Sequence, residues 1–111
     1  MPTNADTPID LPAPIAAYFA ADAGGVASCF IANAVVIDER REHQGRQAIA
    51  RWKTEATAKY HYTSEPLAVN LSGADVTVIA RVTGEFPGSP IEMRYRFTLE
   101  GDKIARLEIT G

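Results

Sequence analysis

The stretch Val76–Leu99, VTVIARVTGEFPGSPIEMRYRFTL, decides the fold. Alternate positions are apolar in its first half, from Val76 to Val82, and again in its second half, from Ile91 to Leu99. Because successive side chains of a strand point to opposite faces of a sheet, each half predicts a strand with one apolar face. The prolines of the connecting segment 87–90 cannot donate sheet hydrogen bonds, which predicts a turn there. We therefore expect an antiparallel pair packed on a core.

The segments around this pair extend it into a larger sheet. Residues 61–71 predict a preceding strand that ends at the turn signal 72–75, and residues 104–109 predict a closing strand after the turn 100–102. Far upstream, the β-branched run AVVID at 34–38 predicts a short strand that ends in an acid. The charged segment after it predicts either a loop or a small hairpin.

Apolar residues at helical spacing dominate the first half of the chain. Residues 12–21 predict a helix with Tyr18 on its apolar face, and Asp22 caps a second, short helix in the prediction. A third helix is expected from Gly45 to Tyr60, with Lys53 on its solvated face. Three N-terminal helices followed by a mostly antiparallel sheet predict an α+β domain.

The composition narrows the function classes. The chain has 111 residues, 46% of them apolar and 23% charged, and this size and composition predict a single domain at 11–111. Residues 1–10 show little apolar periodicity and are expected to form a flexible leader. A net charge of -3 with scattered basic residues favours neither nucleic acid nor a membrane as partner. The single cysteine, Cys29, predicts a buried residue without a disulfide or a metal site. We expect a cytoplasmic protein.

Four segments together resemble the SnoaL-like and ketosteroid isomerase-like families of the NTF2-like superfamily. They are AYFAADAGG at 17–25, CFIANAVVIDE at 29–39, GRQAIARW at 45–52 and YRFTLEGDKIARLEI at 95–109. The resemblance implies a cone-shaped fold in which the helices pack on a strongly curved sheet and enclose an apolar pocket. It also implies a homodimer through the outer sheet face, where Arg81, Arg94 and Arg96 are expected.

The same resemblance proposes two catalytic residues. Asp38, at the end of the first strand, corresponds to the aspartate that moves a proton, and Tyr18 corresponds to a tyrosine that donates a hydrogen bond. In ketosteroid isomerase a second acid, kept protonated in an apolar site, helps to hold the oxyanion. Met93 occupies that position here, and a thioether cannot donate the bond.

The residues themselves leave the roles open. Burial would raise the proton affinity of Asp38 toward the range useful for a general base, but aspartates at strand ends also commonly cap turns. Tyr18 could also be a core aromatic residue rather than a catalytic hydrogen-bond donor. The expected substrate-binding residues, which are equally typical of a core, are Trp52, Met93, Tyr95 and Phe97.

Two functions follow as hypotheses. The first is an isomerase or cyclase that abstracts a proton from a small hydrophobic carbonyl compound, with no metal or cofactor. The second is a non-catalytic module that binds a small molecule or serves dimerisation.

Overall fold

The predicted strand pair forms the centre of the sheet. In the computed structural model, which describes residues 9–111, strand β4 spans Asp75–Thr83 and strand β5 spans Ile91–Glu100. They pair antiparallel with Val78 opposite Tyr95. The predicted apolar faces are confirmed over most of their length, since alternate residues are buried: Val76, Val78, Ala80, Val82, Tyr95 and Phe97. At the ends of β5, Ile91 is exposed and Leu99 is only partly buried.

Six strands form one sheet in the order β2-β1-β6-β5-β4-β3. The remaining strands are β1 (Phe30–Asp38), β2 (Arg41–Gln44), β3 (Thr63–Ser72) and β6 (Lys103–Thr110). Strands β1 and β6 pair in parallel, and every other neighbouring pair is antiparallel. The charged segment after β1 therefore forms a hairpin, which is one of the two predicted alternatives.

Irregular pairing accompanies the curvature of the sheet. The register shifts between Phe30 and Val35 in β1, between Pro66 and Ala68 in β3, and between Thr98 and Leu99 in β5. Such bulges increase the local twist and bend a strand. The curved sheet then packs its concave face against the helices.

Two α-helices cover this face. Helix α1 spans Ala13–Ala20 and buries Ile15 and Tyr18, and helix α2 spans Arg46–Tyr60 and buries Ile49 and Trp52. Both pairs follow the three-residue spacing of one helical face.

The prediction of three N-terminal helices is wrong. The segment Val26–Cys29 is a single 3₁₀ turn. Asp22 Oδ1 accepts a hydrogen bond from the Gly25 backbone N–H at 2.9 Å and so closes a turn rather than starting a helix. The adjacent glycines disfavour helix, and the chain enters β1 at Phe30, which leaves room for one turn only.

The remaining predictions on organisation concern the ends and surfaces. Most of the predicted leader, residues 1–8, lies outside the described residues, and residues 9–10 have no regular secondary structure. No helix in the described part of the chain is long and apolar enough to cross a membrane.

The arginines at 81, 94 and 96 are exposed opposite the buried face, as expected, and Arg81 pairs with Glu65 at 3.3 Å. The homodimer itself stays a prediction.

Candidate active site

Asp38 ends β1 beside a tight hairpin. Its strand neighbours on the same face, Ala34 and Val36, are fully buried, and Asp38 itself is partly buried. Glu39 and Arg40 form the two-residue turn with φ values of 53° and 65°. Two-residue hairpins favour turns in which both central residues adopt this left-handed conformation. The hairpin thereby fixes the point at which the Asp38 side chain leaves the strand.

The Trp52 side chain holds this carboxylate. Its indole Nε1–H donates a hydrogen bond to Asp38 Oδ2 at 3.0 Å. Trp52 lies on the buried face of α2, and its ring is only 6% exposed. The contact joins the end of β1 to the middle of α2, so Asp38 is directed toward the helix layer and away from bulk water.

Opposing effects act on the pKa of Asp38. Burial raises the pKa of this carboxyl above its ordinary value, and the Trp52 hydrogen bond opposes part of the rise. The charge of Glu39 also raises it, while His43 lowers it. A carboxylate in this setting is more basic than an exposed one, which is the property that a general base requires.

A cavity of about 190 Å³ opens beside Asp38. Most of its wall is apolar, and the lining side chains that carry polar groups are two acids, three tyrosines and Trp52. The lining residues are Asp38, Glu39, Trp52, Ala56, Tyr60, Tyr62, Val82, Phe86, Ile91, Met93, Tyr95 and Ile109. Glu39 and Ile91 are exposed, which places the mouth of the cavity on their side.

The cavity brings together four of the six predicted site residues. Asp38, Trp52, Met93 and Tyr95 all line it, but Tyr18 and Phe97 do not. These two are 3% and 1% exposed, and their ring centroids lie 5.5 Å apart in the core.

Tyr18 is a core residue in this structure. The helical spacing that aligns it with Ile15 also directs it into the packing between α1 and the sheet. Its hydroxyl is buried and has no hydrogen-bond partner among the described residues. Burial and the nearby Tyr95, Tyr62 and Asp38 raise the pKa of Tyr18.

Lys53 was assigned to the solvated face of its helix, and that prediction is wrong. Its side chain is partly buried, and Nζ donates a hydrogen bond to Tyr62 Oη at 2.5 Å. Nζ also lies 5.4 Å from the ring centroid of Tyr18. Burial lowers the pKa of Lys53 to about 8, although the charge of Asp38 acts in the opposite direction.

The sequence did contain a signal for Lys53. Ile49, Trp52, Lys53 and Ala56 follow the i, i+3, i+4, i+7 spacing of one helical face. Lys53 therefore lies at the edge of the buried face, where a long side chain can bring its charge inward along apolar neighbours. The charge of lysine favours a prediction of solvent exposure, although the helical spacing places Lys53 at the edge of the buried face.

The hydroxyls of the cavity differ in their partners. Tyr95 Oη shares a hydrogen bond with Ser64 Oγ at 3.0 Å, and Tyr60 donates to Glu39 Oε1 at 3.1 Å near the mouth. Tyr62 Oη accepts from Lys53, since an ammonium group has donors only.

Within residues 9–111, no three His, Cys, Asp or Glu side chains come together in a way that could hold a metal ion. The arrangement suits proton transfer beside an apolar ligand.

Comparison with known proteins identifies solved structures that are similar to this chain. No protein-family model and no curated protein matches the chain. Among solved structures, a candidate polyketide cyclase from Sinorhizobium meliloti is 42% identical, with a TM-score of 0.87, over 91% of this chain and 96% of that one.

Two further solved structures share the fold at lower identity. A ketosteroid isomerase-like protein from Catenulispora acidiphila, solved with trimethylamine, has 19% identity and a TM-score of 0.81 over 92% of this chain and 87% of that one. A candidate SnoaL-like polyketide cyclase from Jannaschia sp. has 17% identity and a TM-score of 0.72, over 87% and 81%. The similarity to the Sinorhizobium protein over nearly the whole chain shows that the protein belongs to the same family as this candidate polyketide cyclase, and the other two structures show that its fold is SnoaL-like and ketosteroid isomerase-like.

Proposed function

We propose that this protein abstracts a proton from a small hydrophobic carbonyl compound, as an isomerase or a cyclase, with Asp38 as the general base. One observation carries the proposal: Asp38 lies on the wall of a mostly apolar cavity and is held there by the Trp52 N–H. The similarity to a candidate polyketide cyclase supports the same substrate class.

The proposed step uses groups that line the cavity. An Asp38 carboxylate oxygen takes a proton from the carbon next to the substrate carbonyl, and the electron pair of that C–H bond forms a C=C bond. The carbonyl π electrons move onto oxygen, where a hydroxyl of the cavity wall donates a hydrogen bond to the developing charge. In an isomerase the protonated Asp38 then returns its proton to another carbon, and the carbonyl forms again. In a cyclase the enolate carbon attacks a second carbonyl and closes a ring, the π electrons of that carbonyl move onto its oxygen, and the protonated Asp38 gives its proton to the resulting alkoxide.

Asp38→Asn provides the test, because it keeps the shape of the side chain and removes its basicity. With a panel of enolisable ketones, we expect turnover to fall by about 10²–10⁴-fold, the usual contribution of a general base. Asp102→Asn is the matched control, because Asp102 is exposed in the turn between β5 and β6. Turnover that survives in Asp38→Asn would remove Asp38 from the mechanism.

Met93 favours a second candidate function. It lines the cavity at the position where the family resemblance expects a protonated acid, and its thioether has no proton to donate. A pocket with this substitution could bind a small apolar molecule without reacting with it. This function predicts that the wild-type protein binds flat apolar ketones in calorimetry and turns over none of them.

A further inference from the structure

Lys53 and Tyr62 form a partly buried polar pair beside the cavity. Tyr62 lines the cavity, whereas Lys53 lies behind it on α2. The Lys53 ammonium donates to Tyr62 Oη at 2.5 Å and lies 4.6 Å from the centre of the Tyr62 ring. Because the ammonium has no acceptor, Tyr62 must use a lone pair in this contact and direct its own proton elsewhere.

Few groups in the described structure face this pair. Asp38 of β1 and Tyr18 of α1 approach Lys53. Burial raises the pKa of Tyr62, and a hydrogen bond with Thr57 of α2 opposes part of the rise. Tyr95 and Asp38 act on Tyr62 across the cavity by their charge. Tyr62 lines the cavity that the substrate would occupy, and the Thr57 hydroxyl is a second neighbour of its own hydroxyl.

We propose that Lys53 is a positioning residue that directs the Tyr62 hydroxyl into the cavity, where Tyr62 donates a hydrogen bond to the substrate carbonyl oxygen as negative charge develops. This inference rests on the proposed function. It supplies the donor that Met93 cannot provide. The proton on Tyr62 stays on Tyr62 throughout, and Lys53 gains and loses nothing while Asp38 holds the proton from carbon.

The ammonium has a second effect, which is electrostatic. A positive charge bonded to Tyr62 Oη polarises its O–H and strengthens the hydrogen bond to an anionic oxygen. Burial places the pKa of Lys53 at about 8. Above this pH the neutral amine offers a lone pair and can accept the Tyr62 proton, so the donor facing the cavity is lost.

The test uses 4-nitrophenol, a flat apolar probe whose absorbance distinguishes phenol from phenolate. It is bound to Asp38→Asn, which removes the repulsion between the base and the probe anion and makes the readout independent of turnover. We expect the bound ionisation equilibrium to shift toward phenol by about tenfold on adding Lys53→Met or Tyr62→Phe. Lys53→Arg should retain most of the wild-type ratio, and Arg51→Met, which removes an exposed cation from the same helix, should leave it unchanged.

The outcomes separate the two proposals. An unchanged phenolate fraction in both Lys53→Met and Tyr62→Phe overturns the role of the pair, even if Asp38→Asn abolishes ketone turnover. Absence of probe binding in calorimetry overturns it as well. If Lys53→Met does not fold, as judged by circular dichroism, Tyr62→Phe and a titration of the bound probe through pH 8 decide the question. Ketone turnover that is unaffected by Asp38→Asn refutes the proposed function instead.

Discussion

Replacing Trp52 with phenylalanine should destabilise the protein more at neutral pH than in acid. The change removes the indole N–H that donates to Asp38 Oδ2 at 3.0 Å and keeps an aromatic ring in a site that is 6% exposed. Two losses result. The smaller ring packs less well at every pH, and the Asp38 carboxylate loses a hydrogen bond only where it is ionised.

The size of the pH-dependent loss follows from the kind of bond. A hydrogen bond to a charged group contributes about 1.5–3 kcal/mol to stability. Asp38 is only partly buried, so water can replace some of the lost interaction, and the lower end of this range is expected. Phenylalanine should therefore cost about 1.5 kcal/mol more at neutral pH than in acid.

The sign follows from proton linkage. Burial raises the pKa of Asp38 in the folded state, so the folded protein binds more protons than the unfolded chain between the ordinary carboxyl pKa and the raised one. Stability from this group therefore falls as pH rises through that window. Because the Trp52 bond opposes the rise in pKa, its removal extends the window to higher pH and deepens the loss above it.

Urea denaturation at about pH 3 and at neutral pH measures both losses. The same substitution in Asp38→Asn is the control, because without a titrating carboxyl at this position its cost should be equal at both pH values. An equal cost of Trp52→Phe at both pH values, with Asp38 present, would refute the argument that this bond supports the carboxylate.

Two further changes test the surroundings of the cavity. Tyr18→Phe removes a buried hydroxyl that has no partner among the described residues, and we expect a gain of about 1–3 kcal/mol in thermal unfolding with unchanged ketone turnover. A tenfold loss of turnover would instead assign Tyr18 the donor role. Gly84→Ala places a methyl group 2.7 Å from Tyr62 Cβ, so we expect a loss of about 1–3 kcal/mol and weaker probe binding. Gly24→Ala, whose nearest contact is 3.6 Å, is its control, and equal melting temperatures would contradict the predicted clash.

The sheet could be predicted because its signal is local. Two-residue alternation in β4 and β5 identifies the buried face without knowledge of any partner strand. The parallel pairing of β1 with β6 is different, since it joins segments about 70 residues apart and leaves no pattern in either one. The second predicted helix failed for a related reason: capping and apolar residues were present, but the segment before β1 was too short for more than one turn.

The site was predictable where a regular helix or strand fixed the direction of a side chain. Asp38 follows Ala34 and Val36 on one face of β1, so its orientation could be read from alternation. Tyr62 falls within the predicted strand 61–71, but β3 begins only at Thr63, so Tyr62 lies in the connection after α2, and its hydroxyl is identified by a contact with Lys53. Phe97 and Tyr95 share one face of β5, yet only Tyr95 reaches the cavity, because the sheet curvature decides which part of that face stays open.

These contacts shift attention from α1 to α2 as the support of the site. Trp52 and Lys53 are neighbours in sequence, and each donates a hydrogen bond to a different polar group of the cavity, Asp38 and Tyr62. The first bond favours the ionised form of a partly buried carboxylate whose pKa desolvation raises, and the second is the one proposed to orient a donor. A rotation of α2 by one residue would break both bonds together. The position of this single helix relative to β1 therefore sets the base and the proposed donor at once, and changes in that packing should alter both properties in parallel.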